Sequence, residues 1–310
     1  MSSSEKDRVE TMRFGIGEWF GHPAMSLSPS DIRKLSKKAA TKSPAELCPY
    51  RQPSSPGAIC NKKGGVCSLI PYRTIADGGV AIGDPHELVT ICPSRFWEGN
   101  TLFKAIGHDL LQCKTPTVVK EVGFLASVDG DSNRDVGRID TVLVGERGKS
   151  FDWCAIEMQA VYFSGDSMGR EFAALRKGAE CMAFPLGKRR PDFRSSGPKR
   201  LMPQLQIKVP TLRRWGKKMA VVVDAPFFKS LGKISRGKHV SNADIVWFVV
   251  GYAGASNTLE IVERIYTTLE SSVDALTAGQ AVTKDEFEKE IVDCLQSPRA
   301  SKSGKVIQVS

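Results

Sequence analysis

GRIDTVLV (Gly137–Val144), the turn sequence GERGK, and FDWCAIEMQAVYF (Phe151–Phe163) decide how this chain is read. Two apolar runs of strand length flank a short polar turn containing Gly145 and Gly148, which predicts an antiparallel hairpin. Asp140 opens the first run, and Glu157 and Gln159 stand late in the second. Alternation places Glu157 and Gln159 on one face while Ile156 and Met158 face the other. In a hairpin, Asp140 and Glu157 fall at the same end, close enough to share a divalent cation. A hard Mg²⁺ held by carboxylate oxygens, with the Met158 carbonyl as a further ligand, turns water into a nucleophile and offsets charge developing at phosphorus. Gln159 is a neutral amide, so it can orient water but not act as a base or cation. Glu121 in VVKEVGFLAS is a further candidate, as a second metal ligand, a holder of water or a plain surface glutamate.

Working outward, TLFKAIGHDLLQC puts Leu102, Ile106, Leu110 and Leu111 on one helix face. Met219–Val223 and Ile245–Tyr252 are nearly continuous apolar runs and read as central strands. Further strands are possible at Val122–Val128 and Gln206–Val209. SMGREFAALRKGAE reads as a helix with Met168, Phe172, Leu175 and Ala179 inward and Arg170 and Lys177 outward. GKRRPDFRSSGPKR reads as a loop able to order on nucleic acid, and Thr258–Glu270 and Lys284–Leu295 as amphipathic helices. The result is an α/β core from about residue 101 to 310. It is preceded by a 1–100 region whose stretch Lys42–Asn100 is rich in Pro and Gly and poor in periodic apolar positions.

Charge and cysteine placement sharpen this. The 310 residues carry a net +10, yet between Lys188 and Lys238 fifteen lysines and arginines face only Asp192 and Asp224. That segment alone exceeds the whole chain's surplus, so the remainder is slightly acidic. A one-signed excess in one stretch suits a polyanion, since neutralising phosphates releases counterions; a solvated basic face is the alternative. Cys48, Cys60, Cys67 and Cys92 crowd the irregular N-terminal region, while Cys113, Cys154, Cys181 and Cys294 are scattered. In a reducing compartment the four favour a structural metal over disulfides, iron or zinc being equally suited, although their spacing lacks Cys-x2-Cys knuckles. Free thiols in a loop-rich region are the other reading.

Several classes are excluded. The longest strongly apolar run, Ile245–Ala255, is far short of the ~20 residues of a membrane span, and MSSSEKD lacks the apolar core of a secretory signal. A soluble, cytoplasmic protein is expected. Asp129, Asp131, Asn133 and Asp135 mimic a calcium loop, but Arg134 occupies the position needing Gly and Asp140 the one needing a bidentate Glu. No phosphate-cradling loop, nucleophile elbow or dinucleotide fingerprint is present, so no nucleotide cofactor is expected. His22, His86, His108 and His239 have no metal spacing.

Asp, a gap, then Glu-x-Gln resembles the PD-(D/E)XK nuclease signature, with Gln159 where lysine stands and Ile139 in place of proline. GEWFGH (17–22), the cysteines in CPY, AIC, GVC and ICPSR, and IEMQAVYFSG (156–165) occur together and in order. On these blocks the chain resembles the NotI-type restriction endonucleases over its first 180 residues. The resemblance implies a prokaryotic homodimer with a mixed central sheet flanked by helices. It implies Mg²⁺-dependent double-strand cleavage of GC-rich palindromes containing GGCC. Asp140, Glu157 and Gln159 would be its active site, with Glu121 matched less closely, and the four cysteines would ligate one iron. DNA contacts are expected from Arg170, Lys177, Arg189, Arg190, Arg213 and Arg214, the arginines of the basic segment reading guanine and Arg170 and Lys177 holding phosphates. A non-catalytic, metal-stabilised DNA-binding protein is the competing reading, and a nuclease indifferent to sequence is a third.

Overall fold

The computed structural model describes residues 11–41, 46–75, 79–127, 135–147, 150–178, 180–277, 282–297 and 306–307. The N-terminal part builds a sheet of its own from β1 (Met12–Trp19), β2 (His22–Pro23), β3 (Val66–Thr74), β4 (Val80–Ile82) and β5 (Val89–Thr90), with α1 (Pro29–Ala39) between β2 and β3. The order is β2-β1-β3-β4 with β5 also on β3, all antiparallel. Ser28 caps α1 in a reciprocal box with Asp31, and Pro29 opens the helix. This corrects the expectation that Lys42–Asn100 lacks a core. Val66, Leu69, Ile70, Tyr72, Leu88, Val89 and Ile91 are all buried, because β3 is covered on both faces and so shows no alternation in its sequence.

The turn entering β3 depends on glycine. Gly64 and Gly65 have φ of 75° and 69°, and a Cβ on Gly65 would lie 2.3 Å from the Phe20 ring. Trp19 Nε1 donates to the Gly64 carbonyl at 2.8 Å, and the Phe20 amide donates to the Gly65 carbonyl at 2.7 Å.

The chain continues with α2 (Thr101–Leu111), β6 (Thr117–Ala126), β7 (Asp135–Arg147), β8 (Ser150–Met158), β9 (Tyr162–Gly165), α3 (Gly169–Arg176), β10 (Arg189–Asp192), α4 (Phe193–Ser196), α5 (Met202–Arg214), β11 (Met219–Asp224), α6 (Ala225–Lys229), β12 (Ile245–Ala253), β13 (Thr258–Thr267) and α7 (Leu269–Thr277), β9 and β10 pairing as a small sheet of their own beside the larger one. Six strands pair in the order β13-β12-β11-β8-β7-β6. β11 runs parallel to β8 and β12, and the other pairs are antiparallel, so the sheet is mixed. β11 and β12 are interior and almost wholly buried, as their unbroken apolar runs require. α2 packs on β7 and β8, and α6 on β11 and β12.

Three segments differ from the sequence reading. Thr258–Thr267 is a strand, not a helix: TLEIVERIYT is rich in β-branched residues, and β12 offers it a full-length antiparallel partner. Gln206–Val209 lies within α5, whose Leu205, Val209 and Leu212 form the buried stripe. The Gly187–Arg200 stretch, read as a loop, contains β10 paired with β9, then α4 and a π-helical turn at Gly197–Leu201. Ala179 and most of the acidic loop at 128–134 lie outside the described residues.

The two sheets are pinned together by Arg95, whose side chain has no exposure. Its Nε donates to both Glu18 oxygens at 3.0 and 2.9 Å, and its Nη1 donates to Glu98 at 2.9 Å. Nη2 reaches the Asn257 carbonyl, and the guanidinium lies between the Tyr50 and Tyr252 rings at 4.4 and 4.5 Å. One residue thereby joins β1, the 50s loop and the β12–β13 hairpin. A second tie is buried Asp224 at the end of β11, which accepts from the Thr90 amide at 2.6 Å and the Phe227 amide at 2.8 Å.

Residues 1–277 form one compact unit and 278–310 a second. The second contains α8 (Lys284–Gln296), capped by Thr283 and Glu286 in a reciprocal box. Among the described residues no helix is long and apolar enough to cross a membrane.

Candidate active site

β7 and β8 form the hairpin, paired Thr141 to Ile156 and Val142 to Ala155. Continuing that register by one step sets Asp140 beside Glu157 on a shared face. β11 supports the pair from the other side, Val221 lying opposite Glu157. Asp140 is open, its side chain 70% exposed, whereas that of Glu157 is only 9% exposed. Burial pushes the Glu157 carboxyl above the ordinary carboxylate range, against the opposing pull of Lys208, and the Asp140 charge adds to the rise.

Lys208 is the residue the sequence reading missed. It projects from α5, is 3% exposed, and places Nζ 2.7 Å from Glu157 Oε2 and 3.6 Å from Asp140 Oδ2. The signal was present in QLQIKVPTL: a lysine one step from the Leu205–Val209–Leu212 stripe is a cation committed to the inner face of a helix. Reading that segment as a strand hid it.

Asp140, Glu157, Met158 and Gln159 line a cavity of about 570 Å³ whose wall also includes Lys62, Lys199 and Arg200. Tyr162 borders it too, with the Arg200 guanidinium 3.6 Å over its ring. Gln159 is buried; its backbone amide donates to the Val222 carbonyl at 3.0 Å, and its Nε2 is spent on the Ala160 carbonyl. Glu121 stands where the β6–β7 ladder faces Asp140, between the pairs Lys120–Thr141 and Val122–Ile139. Its φ is 55°, its side chain is 70% exposed, and its oxygen lies 3.4 Å from Arg138. It is near the pair in register but does not line the cavity.

The donors suit a hard cation: two carboxylates and a strand-end carbonyl, all oxygen, at the floor of an open cavity. The four cysteines are arranged differently. Cys48, Cys67 and Cys92 are buried, Cys60 is half-buried, and all are free thiols. The Cys48 amide donates to the Ala58 carbonyl and that of Cys60 to the Glu46 carbonyl at 2.9 and 2.7 Å, while the Ile91 and Cys92 amides both donate to the Cys67 carbonyl. The thiols of Cys60 and Cys67 are pushed up first by burial and further by neighbouring cysteines, with Glu18 also acting on Cys67. Yet among the described residues no three His, Cys, Asp or Glu side chains gather closely enough to hold a metal ion. The expected metal knot is thus unsupported by this arrangement, while backbone hydrogen bonds tie the segments that carry the cysteines.

The basic candidates separate by burial. Arg170, Lys177, Arg190 and Arg214 are exposed. Arg189 is buried and ion-paired with Glu171, with further bonds to the Asp166, Ser167 and Phe14 carbonyls. Arg213 is held by Asp244 and Glu270. Arg189 is a correction, its charge consumed inside the fold, whereas Arg213 stays 46% exposed in a surface ion-pair network.

A mixed sheet thus carries two carboxylates to a cavity that lysine and arginine side chains also line. The chain matches the family described as Restriction endonuclease NotI over residues 33–262, most of its length, and belongs to that family. It is accordingly a restriction endonuclease, a site-specific deoxyribonuclease acting on double-stranded DNA. No curated protein matches it.

Proposed function

We propose that this protein is a type II enzyme that cuts both strands of a GC-rich palindrome containing GGCC as a Mg²⁺-dependent homodimer with a PD-(D/E)XK-like core. The observation that carries the chemistry is the adjacency of Asp140 and Glu157 at the floor of a cavity rimmed by Lys62, Lys199 and Arg200. Asp140, Glu157 and the Met158 carbonyl would hold the cation, which when bound supplies a polarised water and offsets charge at phosphorus. Gln159, its Nε2 engaged, retains Oε1 as an acceptor to orient that water. Glu121, at the rim, is a secondary candidate for the same task. Arg170, Lys177, Arg190 and Arg214 are free to meet phosphates or bases. Arg189 and Arg213 position β10 and α5 instead. A two-fold dimer presents identical readers to each half-site, which is why the target is a palindrome. The four cysteines are the proposed seat of a structural iron or zinc ion that would draw the thiols together; cleavage does not pass through it.

The test is digestion of unmethylated GC-rich DNA with Mg²⁺, with EDTA, and with Glu157→Ala. Discrete fragments only from wild type with Mg²⁺ are expected, with ends that reveal GGCC and a double-strand cut. A smear, or cutting by Glu157→Ala, would overturn the proposal.

A further inference from the structure

We propose that Lys208, delivered by α5, supplies the positive charge facing the scissile phosphate, the charge that the neutral amide of Gln159 cannot provide. The inference rests on the reading of Asp140 and Glu157 as the cleavage centre. Three observations support it. Lys208 is 3% exposed, and its ammonium lies 2.7 Å from Glu157 and 3.6 Å from Asp140, so the fold holds a buried cation at the one place where both carboxylates converge. Burying an ammonium is costly unless it is paired, and Lys208 is the single lysine on the inward side of α5, beside Val209 and opposite the exposed Arg213 and Arg214. Charge balance supplies the third. Two carboxylates match one divalent ion, so the Lys208 charge adds to the positive charge that Lys62, Lys199 and Arg200 bring to the cavity for a phosphodiester.

The strand that carries Glu157 therefore ends in an uncharged residue, while a helix remote in sequence brings the ammonium to the same point. Glu157 fixes Lys208 through a direct hydrogen bond in which Nζ donates to Oε2. Lys208 is not itself part of the cavity wall but pairs with two carboxylates that are, so its compact charge acts on an entering phosphate from beside them.

The experiment compares Lys208→Met and Lys208→Arg with wild type and Glu157→Ala. It measures single-turnover cleavage of a duplex containing the site in saturating Mg²⁺, equilibrium binding of that duplex in Ca²⁺, and thermal melting. Lys208→Met is expected to slow cleavage at least 100-fold while binding DNA within threefold of wild type. Lys208→Arg, which restores charge and pairing, should recover to within tenfold. Cleavage by Lys208→Met within threefold of wild type would overturn the assignment. So would losses of cleavage, DNA binding and melting temperature that run in parallel, since those mark a structural ion pair. If Lys208→Met does not fold, Lys208→Arg decides: cleavage within tenfold upholds the role, and cleavage below one hundredth in a folded, DNA-binding variant overturns it. If Glu157→Ala itself cleaves, the cleavage centre has been misread, an outcome separate from failure of Lys208 alone.

Discussion

Replacing Arg95 by Met should unpin the two sheets. The substitution keeps length and apolar volume but leaves Glu18, whose side chain is 1% exposed, with only the hydroxyls of Ser68 and Tyr50 as partners. Removing one member of a buried ion pair typically costs about 3–5 kcal/mol, because the other charge stays buried and uncompensated. The lost stacking between Tyr50 and Tyr252 adds on the order of 1–2 kcal/mol. Relaxation lowers the total, so about 4 kcal/mol is expected in urea unfolding followed by tryptophan fluorescence. Adding Glu18→Leu removes the stranded charge and should return roughly half or more of the loss. Arg95 touches no cavity residue named above, so cleavage at 20 °C should stay within twofold of wild type. A single-variant loss below about 1 kcal/mol, or a double variant no more stable than the single, would refute the clamp.

Four shorter predictions follow from other parts of the molecule. Glu157→Ala should retain DNA binding and lose cleavage by about three orders of magnitude or more, the scale set when metal-assisted chemistry is disabled; a gel shift beside a digest checks both. Asp224 is pushed up to about 7 by burial against its hydrogen bonds from Phe227 and Thr90. A carboxyl with a folded pKa above its unfolded value stabilises fully below the unfolded pKa near 3.8, and loses that contribution as pH rises towards 7. Wild type should thus lose roughly 3–4 kcal/mol relative to Asp224→Asn across that window, and identical pH slopes in the two proteins would contradict it. Gly65→Ala combines a left-handed backbone with a clash against Phe20 and should cost about 3 kcal/mol in melting experiments. Purified protein should contain about one iron or zinc per chain by elemental analysis, lost in Cys67→Ala with a lowered melting temperature, on the logic that structural metal adds folding energy; unchanged melting with complete metal loss would remove the structural role.

The hairpin was readable because local rules sufficed. Alternation fixed the face shared by Glu157 and Gln159, the GERGK turn fixed the direction of return, and together they set Asp140 beside Glu157. Unbroken apolar runs marked β11 and β12 for the same reason, since interior strands have no polar face to interrupt them. The small N-terminal sheet escaped notice because β3 is buried on both faces and carries Pro71 within it. β13 was misread because TLEIVERIYT fits helical and strand spacing alike, and only β12 selects between them.

By itself the sequence determined the element types wherever periodicity was unambiguous, the family, and the pair of carboxylates. Tertiary structure decided which basic side chains are claimed by an acidic partner. Arg189 and Arg213 have the same composition signal as Arg190 and Arg214, yet Glu171, Asp244 and Glu270 claim the first two. It also brought Lys208 to Glu157 across 51 positions of chain. Local sequence rules reach a few residues along a strand or helix. Which distant groups neutralise one another depends on how those elements pack, because burying a charge is tolerable only where the fold supplies its partner.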